Sequence, residues 1–274
     1  MINKYYLKNL MCVILLLFLS TPIFAATKLT GNVVLIKGDV KVIHTGSTDQ
    51  YKVKLKDKIF EGDIIQTEMN SYVQIQFPLE SIRIQEKSKF QVKKLSKEEK
   101  EKSFLLIFKQ KVVEQNEGFE LFMGKVYNKI KKLKRGEKSE IKTTASIFGV
   151  YGTSYELIIG DKQIELNVSD GIVTVNDVEN PNSIISIKEG QKLITEVTPL
   201  KEGQQYQPTQ MDIGDKEKID NEIKDIMENE ESILNETDLG ANDRDPIDPG
   251  QGDSSGKPDD GSAKPNTGTI RLSW

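Results

Sequence analysis

Apolar and polar residues alternate with a period of two along most of the chain from Gly31 to the mid-190s. The clearest instance is 72–77, where Tyr72, Gln74 and Gln76 fall on one side and Val73, Ile75 and Phe77 on the other. This is the pattern of a half-buried strand, whose successive side chains leave opposite faces. Pro78 ends it by withdrawing a ladder donor. Val33 and Leu35 alternate before it, as do Val40 and Val42 after the Gly38-Asp39 turn. Glu61-Gly62-Asp63 reads as a turn into 64–67, and Ile82, Ile84, Phe90 and Val92 continue the rhythm. Short strands about ten residues apart, punctuated by Gly, Asn and Asp, predict an all-β fold: a sandwich, a barrel or a solenoid-like stack.

Internal echoes favour a repetitive, twisted stack. Residues 61–67 are answered by 189–195, and Gly38-Asp39-Val40-Lys41-Val42 by Gly171-Ile172-Val173-Thr174-Val175. The segment 96–118 interrupts the rhythm with a charge cluster followed by Phe104, Leu105, Leu106, Ile107 and Phe108. Its Phe, Ile and Val predict a buried strand leading through a polar hairpin to Phe119 and Leu121; a helix-led insertion is the alternative.

In 139–159, Ile141, Thr143 and Ala145 alternate ahead of Gly149 and Gly152, and Tyr155 and Leu157 alternate behind them. This predicts strand, sharp turn, strand, because glycine takes positive φ and lets another backbone approach closely. The stretch resembles the hallmark of the FecR domain, roughly I-x-T-P-x-A followed by V-R-G-T-x-F/Y. Thr143, Ala145, Val150, Gly152, Thr153 and Tyr155 match it, while Thr144 replaces the proline and Tyr151 the arginine. The resemblance implies a twisted, solenoid-like or sandwich β domain over 27–199, with those six residues in a structural role.

Composition then divides the chain. Lys4 and Lys8, the apolar run 10–19 and the cleavage zone 22–26 read as an export signal cut after Ala25, giving 1–25 as signal peptide. The dense apolar run is shorter than the roughly 20 residues of a membrane span, although an uncleaved anchor is the rival reading. The single cysteine, Cys12, lies inside that segment, so the exported part has no disulfide, no thiolate metal site and no thiol nucleophile. Residues 200–214 read as a polar linker. An acidic amphipathic helix follows over 215–235, with Ile219, Ile223, Ile226 or Met227, and Ile233 at helical spacing, expected to rest loosely on the β domain or a partner. The tail 236–274 is rich in Asp, Gly, Pro and Ser and reads as disordered.

Chemistry is sparse. A formal net charge of −4 implies no general affinity for nucleic acid. His44 is the only histidine and reads as an exposed structural residue, which leaves no multi-histidine metal site. Lys125, Lys129, Lys131, Lys132, Lys134, Arg135 and Lys138 form the strongest charge feature. They fit either a lysine-studded hairpin that blunts a sheet edge or a patch for anionic headgroups or a polyanionic glycan. Asp243, Asp245 and Asp248 resemble a crude calcium loop, but Pro246 and the missing glycine and terminal glutamate do not fit it. Residues 264–268 lack the leading leucine and following apolar span of a wall-sorting signal, and 269–274 alternate like an isolated barrel strand. No phosphate-cradling loop or catalytic frame occurs, so no enzyme and no cofactor is expected.

FecR-family proteins in the strict sense are transmembrane sigma-factor regulators coupled to outer-membrane siderophore receptors. Without a cytoplasmic anti-sigma segment or a mid-chain span, this chain resembles only their periplasmic half. The expectation is a non-catalytic exported module that binds an envelope protein or glycan, in the periplasm or at the surface of a bacterium, with peripheral membrane contact through the basic residues. The alternative is a structural envelope protein whose acidic helix and tail engage an outer-membrane partner.

Overall fold

A computed structural model describes residues 29–104, 108–180, 182–201 and 204–239. Two sheets face each other across one core. The first runs in the order β4 (Lys58–Ile59), β1 (Gly31–Lys37), β6 (Tyr72–Gln76), β7 (Glu80–Ile84), β9 (Phe108–Ile130), β12 (Ser154–Ile159), β13 (Gln163–Asp170), β16 (Gln191–Glu196) and β17 (Thr209–Gln210). The second runs β3 (Gln50–Lys52), β2 (Val40–Ile43), β5 (Ile64–Thr67), β8 (Lys89–Phe104), β9 again, β10 (Glu137–Lys142), β11 (Ser146–Val150), β14 (Ile172–Asp177) and β15 (Ile184–Lys188). Every pairing is antiparallel except β9 with β10. Among the described residues the sheets stay open and form no barrel.

β9 belongs to both sheets. Its residues 108–123 pair with β8 in the second, and 124–130 pair with β12 and β7 in the first. The crossing falls at Gly124, with φ +98°, where a Cβ would lie 2.1 Å from Ser88 Oγ and 2.5 Å from Ser88 Cα. Only glycine fits there. Gly38, Gly152, Gly171 and Gly190, also at positive φ, stand at further passages between the sheets. One sequence echo follows from this: Gly38 and Gly171 each turn the chain out of the first sheet and into a strand of the second. The other does not, since β5 and β16 lie in different sheets.

Period-two patterning sends one face of each sheet into the core. Val33, Ile75, Ile82 and Leu157 come from the first sheet and meet Val42, Ile65, Phe90 and Phe148 from the second. The Phe119 ring lies 4.8 Å from that of Phe77 and 5.4 Å from that of Phe90, joining the layers. Each fully buried side chain of this size contributes about 1.5–3 kcal/mol.

Three sequence expectations change. The stretch before Gly152 is not one strand: Thr143 closes a tight turn between β10 and β11, accepting from the Ser146 N–H (3.0 Å) and donating to the Ser146 carbonyl (3.1 Å). Gly149 lies inside β11 rather than in the turn. The charge cluster from Ser96 continues β8 as a strand, and β8 and β9 make one long hairpin whose tip lies outside the described residues. The segment expected to be a polar linker buries Tyr206, whose hydroxyl lies 2.9 Å from Ser146 Oγ and 3.3 Å from Asp177 Oδ2.

Helix α1 (Ile213–Leu239) begins before and ends beyond the expected 215–235. Instead of resting loosely, it buries Ile219, Ile223 and Ile226 against Tyr127 and Met211 on the outer face of the first sheet, leaving Met227 exposed. Among the described residues, no helix is long and apolar enough to cross a membrane. The export signal, the acidic triplet 243–248, the segment 264–268 and the end 269–274 lie outside the described residues.

Candidate binding surfaces

Four of the six hallmark residues, Val150, Gly152, Thr153 and Tyr155, build the passage from β11 to β12, while Thr143 and Ala145 lie in the turn between β10 and β11. Ala145, Val150, Thr153 and Tyr155 are fully buried, and Thr143 nearly so. At Gly152, φ is +66° and a Cβ would lie 3.0 Å from Lys132 Cα, so the turn seats against the loop after β9. Thr153 fixes it by donating to the Ile172 carbonyl at 3.0 Å.

Behind that turn lies a buried polar cluster that alternation alone does not reveal. Glu80 of β7 points between the sheets, where its carboxylate accepts from Ser139 of β10 and from Asn128 of β9. Asn128 also donates to the Tyr155 hydroxyl at 3.0 Å. Glu117 accepts at Oε1 from the Leu79 N–H and from Gln115 Nε2, each at 3.0 Å, while its buried Oε2 has no hydrogen-bond partner among the described residues. Burial raises the Glu80 carboxyl to about 7, against the pull of the Ser139 and Asn128 donors. Burial, then the Glu80 charge, raises Glu117 to about 8; Gln115, Leu79 and Lys131 offset part of this. Burial and then Glu80 also push the Tyr155 phenol well up.

The structure divides the seven basic residues. Lys125 pairs with Glu156 at 3.1 Å, and Lys129 with Asp170 at 3.6 Å while donating to Ser154 Oγ at 2.9 Å. Those two charges are spent on the first sheet. Lys131, Lys132, Lys134 and Arg135 occupy the connection from β9 to β10, and Lys138 stands on the outer face of β10. All five are exposed and, among the described residues, make no ion pair. The connection is held from beneath, Lys131 N–H donating to the Leu79 carbonyl and Gln115 N–H to the Gly136 carbonyl, both at 3.0 Å. A fixed loop thus presents free cations. His44 is partly exposed beside Asp63, with Nδ1 3.1 Å from Oδ1.

A third feature escaped sequence reading. Strand register aligns Gln74, Arg83, Tyr127, Glu156 and Asn167 in one transverse row on the outer face of the first sheet. All five are buried beneath α1. Arg83 Nη1 lies 3.0 Å from Glu222 and 2.6 Å from Asp225, and its Nη2 donates to Gln74 at 2.8 Å. Gln74 in turn donates to the Ile226 carbonyl at 3.0 Å, and Ser169 Oγ to Asp220. Burial, then the neighbouring Glu156, drives the Tyr127 phenol far up. The signal for this row was register, which needs the pairing of strands distant in sequence.

No curated protein sequence matches the chain. Two crystal structures of a candidate anti-sigma factor from Parabacteroides distasonis ATCC 8503 align with 14% and 13% identity and a TM-score of 0.39 each. The alignments cover 54% of this chain and 60% of each of those, so the chain spans less than two thirds of their length. The family model described as FecR protein matches residues 63–174, from the turn before β5 into β14. That span contains the crossing strand β9 and the turn at Gly152, and over it the chain is similar to the FecR family.

Proposed function

We propose that the protein is a non-catalytic, exported binding module of the bacterial cell envelope, whose β body recognises an envelope protein or glycan. The FecR match over 63–174 carries this reading, because that family is envelope-associated and signalling in character. The free cations of the 131–138 connection supply the contact surface. The side chains of Lys131, Lys132, Lys134, Arg135 and Lys138 make no ion pair among the described residues, and a backbone-anchored loop loses little freedom when it meets an anion. The buried Glu80 and Glu117 are withdrawn from solvent and serve the interior of the domain. A purely helix-and-tail attachment is less favoured, since the apolar stripe of α1 is already spent on Tyr127.

The test is affinity capture from the envelope fraction with lysine-reactive crosslinks mapped by residue. Crosslinks from Lys131, Lys132, Lys134 or Lys138 to an envelope component are expected, with loss on changing all four to Glu. Capture of cytosolic proteins alone, or crosslinks confined to residues beyond 239, would overturn the proposal.

A further inference from the structure

Helix α1 covers a surface unlike a hydrophobic core. Beneath it lie one aromatic ring, Tyr127, and a row of polar and charged side chains: Gln74, Arg83, Glu156 and Asn167. Among the described side chains, the helix buries three isoleucines here, at 219, 223 and 226, all on one stripe. The rest of the grip is ionic and directional, through Glu222 and Asp225 on Arg83, Ile226 on Gln74 and Asp220 on Ser169.

The fit is incomplete. Arg83 Nε, Ser81 Oγ and Asn167 Oδ1 are buried with no hydrogen-bond partner among the described residues. A buried polar group left unpaired costs about 1–3 kcal/mol, so α1 satisfies this surface only in part. Its carboxylates stay partly in solvent, with the Glu222 side chain 35% exposed and that of Asp225 57%. Along the same flank, a cleft of about 580 Å³ opens between the helix and Tyr72, Arg83 and Gln85. At the entry to the helix Ile213 is 87% exposed and Gly214 has no neighbour a Cβ would touch, while Met211 just before it stays buried with its N–H on the Gly190 carbonyl at 2.8 Å, so the chain is anchored up to Met211 and open from Ile213 on.

The far end of α1 approaches the basic connection. Burial raises the Glu230 carboxyl, and the Lys131 charge offsets part of this. Arg83 in the row and Lys131 at the start of the basic connection thus both act on carboxylates of the same helix.

We propose that the outer face of the first sheet, along Gln74, Arg83, Tyr127, Glu156 and Asn167, is a receptor for an acidic amphipathic helix of a partner protein, which α1 occupies in cis. The partner helix presents apolar residues at the spacing of Ile219, Ile223 and Ile226, and carboxylates at the positions of Glu222 and Asp225. This rests on the binding-module reading and names its surface and its partner's chemistry. The tethered helix competes at an effective concentration near millimolar, so binding in trans is weak until α1 is loosened.

The test uses the full chain and, as probe, a fluorescent synthetic peptide of residues 213–239. In one variant, Glu222→Lys with Asp225→Lys loosens α1 without altering the receptor. In a second, Cys12→Ser with Ser169→Cys and Asp220→Cys replaces a hydrogen-bonded pair by cysteines, so that oxidation locks α1 down. The expected result is 1:1 binding to the charge-reversed chain at least tenfold tighter than to the unaltered one. Binding is also expected to the reduced cysteine variant and to be lost on oxidation, while a peptide carrying both lysines binds none of them. Absence of binding to both the charge-reversed and the reduced cysteine chains, with native β circular dichroism, overturns the proposal, as does equal binding to the oxidised chain. A stable helix-exchanged dimer that excludes the peptide also overturns it. Envelope crosslinks at the basic connection alongside a failed peptide experiment would sink this inference alone.

Discussion

The Ser139 hydroxyl, carried by β10 in the second sheet, donates to the Glu80 carboxylate carried by β7 in the first. A single side-chain bond thereby spans the sandwich at the end where β9 and β10 run parallel. Ser139→Ala leaves one Glu80 oxygen without its donor in a dry environment, at a cost of about 1–3 kcal/mol. The loss is expected to be larger at pH 8 than at pH 5, because this hydroxyl favours the ionised carboxyl. Urea denaturation at the two pH values measures it.

Glu80 and Glu117 make stability fall with rising pH. Both carboxyls are raised in the folded chain above the unfolded value of 4.5, to about 7 and about 8, so the folded state holds more protons across that window. Their stabilising contribution is complete below about pH 4.5 and lost as pH rises through about 7 to 8. Glu117→Gln is expected to flatten this slope, raising Tm at pH 8 while changing little at pH 4. An unchanged slope between pH 5 and pH 8 would mean that these carboxyls are already ionised, or hydrated, in the fold.

Asp177 acts in the opposite sense. Burial raises its carboxyl, but the N–H groups of Leu200, Asn180 and Glu179 and the Tyr206 hydroxyl outweigh it and hold it below the usual range. A lowered carboxyl stabilises above its unfolded value of 3.8, and that contribution is lost as pH falls through the folded one. Asp177→Asn is therefore expected to destabilise at neutral pH and to narrow the gap to wild type as acid is added. Thermal melts from pH 6 down to pH 3 follow this directly.

Glycine substitutions at the sheet crossings separate two costs. Gly152→Ala forces a positive φ on an L residue and brings a Cβ to 3.0 Å from Lys132 Cα, for about 1–2 kcal/mol. Gly124→Ala adds a collision with the Ser88 backbone, and a loss of about 3 kcal/mol or more is expected. Equilibrium unfolding ranks the two, and equal losses would contradict the crossing geometry.

Charge reversal at Lys132, Lys134 and Arg135 together is expected to change stability by no more than about 0.5 kcal/mol per site, since none of the three side chains makes an ion pair among the described residues. The same variant is expected to lose envelope capture. Coupled loss of both would show the loop to be structural.

Period-two alternation at 72–77 and 153–159 was enough to place strands, because burial on one face leaves its mark on every second residue. The helix was legible for the same reason at another period, through Ile219, Ile223 and Ile226. The turn at Thr143 was missed because Ile141, Thr143 and Ala145 keep alternating into it. Tyr206 falls in a segment with the composition of a linker, since a lone aromatic among Gln and Pro carries no periodic signal.

By itself the chain determined that there would be a β body, the glycine turns at Gly38, Gly62 and Gly152, the acidic helix behind it and the family hallmark around Gly152. Each is written in neighbours within a few residues, through side-chain period and backbone φ. Only the tertiary structure decided that Glu80 meets Ser139, that Lys125 and Lys129 are spent while Lys131 to Lys138 are free, and that Gln74 to Asn167 form one row under α1. Those relationships join residues tens to more than a hundred positions apart. They are set by strand register, which no local pattern specifies until the sheets have closed over a shared core.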